Sequence, residues 1–312
     1  MLSRTADHLF WTARYLERAD FLARILDSAL RLSAMPAAYG GANLWDSVIA
    51  SAGVAEMFHA KHEVATERTV REFLAFDPDN PSSIRSCIAT ARANGRAVRT
   101  ALTTEMWERI NDAWHELQHQ NPDKMGRESF SQFLEWVENV TLAVDGSARR
   151  TMLRNDAYWF LRLGGAVERA DNTARILDVK YHLLLPEREQ VGGGLDYFQW
   201  TTILREVSAL TAYHWVYRDS VKPWLVADLL ILNPQMPRSL ASCYNVVARH
   251  LDLLAEAYGH QGQSQRMAQH VQARLSSARI EDIFQGGLHE FITGFLGDNA
   301  DVAAAIAEQY LI

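Results

Sequence analysis

The sequence predicts an all-α protein in which two pseudo-symmetric helical bundles, produced by an internal tandem duplication, pack as one globular unit. The strongest observation is a repeat: residues 17–27 and 168–178 are identical at nine of eleven positions, at a constant offset of 151 residues. A match this dense excludes coincidence and indicates duplicated units. No stretch shows sustained period-two alternation bounded by turn signals, so a sheet is not expected. We predict about ten to twelve helices, with 1–150 as the first repeat and 151–312 as the second.

Composition and charge narrow the functional classes. Of the 312 residues, 48% are hydrophobic and 22% are charged, which is typical of a globular protein with a sizeable core. The net charge of −7 argues against a general nucleic-acid binder, because no strong basic surface is available to neutralise phosphates. No run of about 18 apolar residues occurs, so no membrane span is expected, and the N-terminus does not resemble a signal peptide. We therefore expect a cytoplasmic protein that binds neither nucleic acid nor membrane.

The first element is a long helix predicted at residues 3–33, with Ser3 or Thr5 as its N-cap and Pro36 beyond its end. Two adjacent stripes of this helix are mostly apolar at helical spacing. Arg18 lies in the middle of one of these stripes.

Helical patterns continue along the chain and are interrupted by turn signals. The predicted helical segments of the first half are 44–76, 82–119 and 128–150, after a loop from Met35 to Asn43 that contains Gly40-Gly41. A short linker near residues 145–147 is expected to lead into the second half. There the duplicate long helix is predicted at 154–184, ended by Pro186 and followed by a loop at Gly192–Gly194.

Arg18 and its duplicate Arg169 are expected to be paired, because the other members of their stripes are mostly apolar. An isolated guanidinium inside a core is expensive, so it must find a carboxylate. The adjacent glutamates, Glu17 and Glu168, lie on a different stripe of the same helix and cannot meet their own neighbours well. We therefore predict cross-pairing: Arg18 binds an acid of the second half, and Arg169 binds an acid of the first.

Two interpretations of this charged set stay open. In the first, it is a structural ion-pair network that joins the two halves. In the second, it lines a polar cavity that binds a charged small molecule or a peptide end, because acids together with arginines suit an amino acid or a peptide. The candidate residues are Arg14, Glu17, Arg18, Asp20, Arg24, Glu168, Arg169, Asp171 and Arg175.

Other catalytic and metal-binding signals are weak. The Glu-x-x-His spacing of di-iron bundles occurs at Glu56–His59 and Glu116–His119, which is about what chance supplies. Neither a phosphate-binding Gly-Lys-Ser/Thr loop nor a Gly-x-Ser-x-Gly elbow is found, and we expect no metal and no cofactor. The two cysteines, Cys87 and Cys243, are expected to be buried core residues.

Several separated motifs, in a fixed order, resemble the bacterial alpha-E domain family over essentially the whole chain. They are the opening Met1-Leu2-Ser3-Arg4-x-Ala6-Asp7, the run Phe10-Trp11-x-x-Arg14-Tyr15-x-Glu17-Arg18-Ala19-Asp20, the run from Tyr158-Trp159-x-x-Arg162-Leu163-Gly164 to Glu168-Arg169-Ala170-Asp171-Asn172-Thr173-Ala174-Arg175, and Asn233-Pro234…Arg238-Ser239. The resemblance implies a helical protein encoded beside a circularly permuted ATP-grasp protein and a transglutaminase-like cysteine peptidase, and sometimes fused to the former. Such neighbourhoods suggest synthesis of a small peptide through amide ligation.

The resemblance leads to two functional hypotheses. The leading one is an accessory or peptide-binding helical subunit of an ATP-grasp peptide-ligase system. The alternative is an enzyme in its own right, which acts on an amide or peptide with Glu17 or Glu168 as general base and Arg18 or Arg169 holding a carboxylate. The alternative predicts a wet, concave site around a carboxylate of strongly perturbed pKa.

The two copies of the motif are not expected to be equivalent. Arg14 lies one helical turn before Glu17, whereas the matching Arg162 lies nearly two turns before Glu168. The second copy has three extra residues between this arginine and the Glu-Arg pair, with Gly164-Gly165 in the gap.

Overall fold

The computed structural model describes residues 1–34, 44–183 and 194–311 of the protein, and every regular element in these ranges is helical. The all-α class expected from the sequence is therefore confirmed. The loop predicted at 35–43 lies outside the described residues, as do Pro186 and the first two glycines of the loop predicted at 192–194. Gly194 is the first residue of a helix instead.

The first half of the described chain contains seven α-helices. They are α1 (Ser3–Ser33), α2 (Leu44–Ser51), α3 (Ala55–His59), α4 (Glu67–Arg71), which continues into a π-helical turn (Glu72–Phe76), α5 (Ile84–Ala97), α6 (Thr104–Gln118) and α7 (Arg127–Thr151). The predicted segments 44–76 and 82–119 are each divided. Thr66 and Thr103 are one reason, because each side chain accepts a backbone hydrogen bond and caps a new helix.

The second half of the described chain contains eight α-helices. They are α8 (Asp156–Leu183), α9 (Gly194–Glu206), α10 (Leu210–Tyr217), α11 (Pro223–Ile231), α12 (Leu240–Tyr258), α13 (Gln263–Ser277), α14 (Ile280–Gly286) and α15 (Leu288–Ile306), followed by a π-helical turn (Ala307–Leu311). The described residues thus form more helices than were predicted, because α3, α4 and α14 are short pieces that periodicity alone does not separate.

Two boundary predictions were wrong. Neither Ser3 nor Thr5 caps α1, because Leu2 precedes the helix and its carbonyl accepts hydrogen bonds from the amides of Thr5 and Ala6. Residues 145–147 are also not a linker, since they lie inside α7.

Helix α7 continues through Gly146 because the residues around it on one face are buried, Val144 and Ala148 among them. The chain leaves helical geometry only at residues 152–155, and α8 begins at Asp156, two residues after its predicted start. The division into repeats of 1–150 and 151–312 stays a prediction.

Helices α1 and α8 pack against each other and lie at the centre of the molecule. Helices α5 and α7 pack on α1, whereas α12 and α15 pack on α8. Gly164 of α8 lies so close to α1 that a Cβ atom built on it would be 2.1 Å from the carbonyl oxygen of Phe10. Only a glycine permits this approach of two backbones, and it brings the charged residues of the two helices within reach of each other.

None of the helices within the described ranges is both long and apolar enough to cross a membrane.

Candidate functional site

Glu168 of α8 lies between two arginines of α1. Its Oε1 accepts a hydrogen bond from Arg18 Nε at 2.6 Å, and its Oε2 accepts one from Arg14 Nε at 2.7 Å. Arg18 also donates to the Ser82 hydroxyl at 3.3 Å, ahead of α5. Glu168 is only 2% exposed, so both of its oxygens are held inside the junction of the two helices.

Glu17 of α1 makes the reciprocal contact, because two arginines of the second half bind it. Arg169 donates to it from two nitrogens, with Nε 2.8 Å from Oε1 and Nη2 2.6 Å from Oε2. Arg238 donates from Nη1 to Oε1 at 3.0 Å. The predicted cross-pairing is therefore present: Arg18 binds Glu168 and Arg169 binds Glu17.

Asp20 extends the network toward the surface. It accepts two hydrogen bonds from Arg24 on its own helix, at 2.9 and 3.1 Å, and one from Arg238 Nη2 at 2.7 Å. The Thr141 hydroxyl of α7 donates to it at 3.1 Å. Arg238 thus bridges Glu17 and Asp20, although only its presence in a family motif marked it in the sequence. It lies in the loop between α11 and α12, where the second half carries extra residues.

Asp171 and Arg175 do not join this network. Arg175 Nε binds Asp171 Oδ2 at 2.6 Å within α8, and both side chains are partly exposed. Arg162, the counterpart of Arg14, binds Asp145 of α7 at 2.6 Å instead of Glu168. The expected non-equivalence of the two motif copies is confirmed, because the second arginine on each glutamate comes from a different part of the chain.

The electrostatic environment favours the ionised forms of Glu168 and Asp20. Burial alone would raise the pKa of Glu168, but Arg18 and Arg14 outweigh it and hold the pKa below its ordinary value. For Asp20, burial is likewise outweighed by Arg238 and Arg24, and its pKa is lowered. A carboxylate with a lowered pKa is a weak general base.

The wet, concave site expected by the enzyme hypothesis is not found around the glutamates. Glu168 is sealed, and Glu17 borders a cavity of only about 50 Å³. Such a space holds one or two water molecules at about 30 Å³ each, which is too small for a peptide.

A larger polar cavity of about 480 Å³ opens beside Arg24, between α1, α7, α9 and α10. Arg24 binds Asp20 and also lines this cavity. There its guanidinium contacts Glu138 Oε2 at 2.9 Å and Ser208 Oγ at 2.8 Å. Of the residues singled out in the sequence, only Arg24 lines this cavity. The full lining is Arg24, Asp27, Ser28, Arg31, Glu138, Arg205, Glu206, Ser208, Leu210 and Thr211.

Glu206, the last residue of α9, is the most unusual group in this lining. Burial raises its pKa to about 8. Its side chain also borders a second cavity, of about 50 Å³, whose wall is largely apolar and includes Ile25 and Ile203. It makes no hydrogen bond or ion pair with any described residue. No periodicity or spacing signal marks Glu206 in the sequence, because the cavity is assembled from four helices that are distant along the chain.

Ser208 closes the turn after α9 in a strained backbone conformation. Its φ angle is 54°, in the left-handed region that non-glycine residues rarely adopt. The turn places the Ser208 hydroxyl where Arg24 donates to it. Such strain is often found at functional sites.

The Glu-x-x-His pairs lie on the surface. Glu56 and His59 are exposed on α3, Glu116 is exposed on α6, and His119 is exposed directly after the end of α6. In the three described ranges, no group of three or more His, Cys, Asp or Glu side chains is arranged to hold a metal ion.

Both cysteines are buried, as expected. Burial raises the pKa of Cys87 and of Cys243 to about 12. Neither thiol is therefore activated as a nucleophile.

Comparison with known proteins places the chain among relatives without an assigned activity. It is 24% identical to an uncharacterized protein of Mycobacterium bovis and to uncharacterized proteins of two Mycobacterium tuberculosis strains, in each case over 97% of this chain. The chain spans only 36% of the length of these relatives. No solved structure matches it.

The family comparison covers almost the entire chain. Residues 1–311 match the Alpha-E model, described as a predicted alpha-helical domain with a conserved ER motif. Two of the five Glu-Arg dipeptides in the sequence, Glu17-Arg18 and Glu168-Arg169, supply the residues of the reciprocal ion pairs. The chain belongs to the Alpha-E family.

Proposed function

We propose that this chain is an accessory, peptide-binding helical subunit of an ATP-grasp peptide-ligase system. The observation that carries the proposal is the cavity of about 480 Å³ beside Arg24, which has the size of a small-molecule site. Its wall contains three arginines and three carboxylic acids. A peptide carries one ammonium group and one carboxylate at its ends, so a wall of both signs is complementary to it.

The ion-pair network has a supporting role in this proposal. Arg18–Glu168 and Arg169–Glu17 join α1 to α8, while Asp20 and Arg238 connect that junction to Arg24. Arg24 is thereby fixed in place on the cavity wall before any ligand arrives. Preorganisation of this kind lowers the entropic cost of binding. In this proposal the charged residues have both roles: the ion pairs join the two halves, and they also position Arg24 for binding.

The proposed partner is a circularly permuted ATP-grasp protein, and a transglutaminase-like cysteine peptidase is a second possible partner. The support for both is the family resemblance and not a feature of the cavity. ATP-dependent ligation would take place in the cytoplasm, which is the compartment we propose.

The enzyme alternative has less support in the geometry. Glu17 and Glu168 each accept hydrogen bonds from two arginines. The lowered pKa of Glu168 makes it a weak base at neutral pH. If the chain has an activity of its own, the described residues offer Glu206 as a better general acid or base than either glutamate of the motif.

We also propose that the two halves descend from one duplicated unit. The motif identity supports this, as do two similar helix starts. Ser83 accepts a hydrogen bond from the Ser86 amide at the start of α5, and Ser239 accepts one from the Ser242 amide at the start of α12. Both helices then carry a buried cysteine one turn into the helix.

Co-purification tests the proposed function. The chain and a circularly permuted ATP-grasp protein from the same organism would be co-expressed, with an affinity tag on one of them, and purified without nucleotide, with ADP and with ATP. We expect a complex in at least one of these conditions. The matched control is Arg279→Ala, which removes an exposed ion pair remote from the charged junction in sequence and should leave the complex intact. Proteins that stay separate in all three conditions would contradict the proposal.

A further inference from the structure

The charges that line the cavity beside Arg24 are not all paired. Arg24 uses its Nε, Nη1 and Nη2 atoms on Asp20, Glu138 and Ser208. Asp27 accepts hydrogen bonds from Arg31 Nε at 2.7 Å and from Ser131 Oγ at 3.2 Å. These groups are occupied within the fold.

Two lining residues have no such partner. The side chains of Arg205 and Glu206 form no hydrogen bond or ion pair with any of the described residues, nor with each other. They are neighbours at the end of α9 and line the same cavity. The cavity therefore presents one unpaired guanidinium and one unpaired carboxyl group. Arg205 is exposed, so water solvates its guanidinium, whereas burial keeps the Glu206 carboxyl group mostly protonated at pH 7; both groups are therefore open to a ligand.

We propose that this cavity binds a small zwitterion, either a free α-amino acid or a short peptide, with its ammonium group at Glu206 and its carboxylate at Arg205. The inference rests on the proposed function for the kind of ligand, and it adds the residues that recognise each end. Arg31 is a second donor for the carboxylate, because only its Nε atom is used within the fold and its side chain is 70% exposed.

A ligand that carries charge of only one sign fits the cavity wall less well. An anion would meet Asp27, Glu138 and Glu206, and a cation would meet Arg24, Arg31 and Arg205. Like charges placed together in a recess cost binding free energy. A zwitterion can turn each of its ends toward the opposite charge.

Binding of an ammonium group at Glu206 should release a proton from the protein, which we call the proton signature. The pKa of Glu206 is about 8, so the free protein holds it mostly protonated at pH 7. An ammonium group favours the ionised form and expels the proton. The charged groups that face Glu206 across the cavity are Arg24, Asp27 and Arg31 from α1 and Glu138 from α7, with Arg205 on its own helix. Arginines remain charged throughout, and Asp27 is already paired.

Isothermal titration calorimetry on the full chain tests the inference. The probes are L-alanine, L-alanyl-L-alanine, its N-acetyl derivative and its C-terminal amide. We expect binding of the free amino acid or the dipeptide, a loss of about tenfold or more when either end is blocked, and a similar loss for Glu206→Gln and Arg205→Gln. Arg279→Ala is the matched control and should bind like the wild type.

The proton signature is measured with the same ligand in two buffers of different ionisation enthalpy. We expect release of close to one proton at pH 7 by the wild type and none by Glu206→Gln. Affinity should rise with pH, by up to about tenfold per unit between about pH 6 and 8. An affinity that falls as the pH rises would overturn the assignment, because it would mean that neutral Glu206 donates to a carboxylate.

The outcomes separate this inference from the proposed function. The relative affinities of L-alanine and L-alanyl-L-alanine decide between a free amino acid and a peptide as the source of the zwitterion. Absence of binding by both at about 10 mM, well above a millimolar Kd, overturns the inference. A wild-type chain that binds a zwitterion but does not co-purify with the ATP-grasp protein overturns the proposed function alone. The reverse result overturns the zwitterion site alone.

Discussion

Glu17 and Arg169 form a two-point ion pair across the junction of α1 and α8, with nitrogen–oxygen distances of 2.8 and 2.6 Å. In the reciprocal pair, Arg18 and Glu168, the arginine comes from α1 and the glutamate from α8. The Glu-Arg motif is thus a contact between two distant parts of the chain, and a glutamate of one copy is satisfied by an arginine of the other. Its effect on stability can be measured directly.

Substitution Glu168→Gln should strongly destabilise the protein. It leaves Arg14 and Arg18 partly buried without a carboxylate, which costs about 3–5 kcal/mol of unfolding free energy. Chemical denaturation measures the change. The control is Arg279→Ala, whose partner Glu281 is 3.7 Å away and whose side chain is 74% exposed, so less than about 1 kcal/mol is expected. Equal effects of the two substitutions would contradict the structural role of the motif.

Substitution Gly164→Ala should force α1 and α8 apart. The new Cβ atom would lie 2.1 Å from the Phe10 carbonyl oxygen, a backbone atom that cannot rotate away. We expect a loss of about 3 kcal/mol or more, measured as a lower melting temperature and denaturation midpoint.

The neighbouring glycine provides the matched control for that substitution. At Gly165 the nearest atom to an added Cβ is Ala13 Cβ at 3.9 Å, an ordinary contact. Gly165→Ala should therefore be neutral or stabilise the helix by up to about 1 kcal/mol. If Gly164→Ala is tolerated as well as Gly165→Ala, the close crossing of the helices is wrong.

Acid should weaken the junction through Glu168 and Asp20. Their ordinary pKa values are 4.5 and 3.8, and both are lowered in the folded protein. The unfolded chain therefore takes up protons at a higher pH than the folded protein does. The stabilisation is fully present above these ordinary values and is lost as the pH falls through the lower, folded values.

Urea denaturation over a series of acidic pH values measures this dependence. The wild type should lose stability steeply below about pH 4.5, whereas Glu168→Gln should lose less over the same range. Parallel pH profiles of the two proteins would show that Glu168 is not held in its ionised form by the arginines.

Glu206→Gln should stabilise the protein at alkaline pH. Burial raises the pKa of Glu206 from 4.5 to about 8, so the unfolded chain ionises first as the pH rises. Ionisation of the unfolded chain lowers wild-type stability between about pH 4.5 and 8, and glutamine removes this loss. We expect no gain at pH 4 and a gain on the order of 2 kcal/mol at pH 8, less than the full shift implies because the side chain is partly open to the cavity. A gain that is the same at both pH values would contradict the raised pKa.

Local patterns were sufficient to predict the long central helices and their pairing. Residues 3–33 carry a continuous helical period, and α1 spans those residues. The cross-pairing followed from a simple conflict, because Arg18 lies on an apolar stripe while Glu17 does not. Helix ends were predicted less well, since Thr66 and Thr103 cap new helices within segments whose periodicity looks continuous.

The cavity could not be predicted because its members meet only in the folded chain. Glu138, Arg205 and Glu206 come from α7 and α9 and share no spacing with Arg24. Arg238 occupies a loop, where no helical period indicates which way a side chain points. Asp171 and Arg175 show the opposite error: they repeat Asp20 and Arg24 in sequence, but they pair within α8 and remain outside the network.

A double-mutant cycle between Glu17 and Arg169 tests the central claim most directly, namely that the Glu-Arg motif is a reciprocal junction of the two helices. The variants are Glu17→Met, Arg169→Met and the double substitution, and chemical denaturation gives their unfolding free energies. Glu17→Met leaves Arg169 without its carboxylate, and Arg169→Met leaves Glu17 with Arg238 as its one arginine, whereas the double change removes both members of the pair. We expect the double variant to be less destabilised than the sum of the single variants by about 2 kcal/mol or more. Additivity within about 0.5 kcal/mol would contradict the junction.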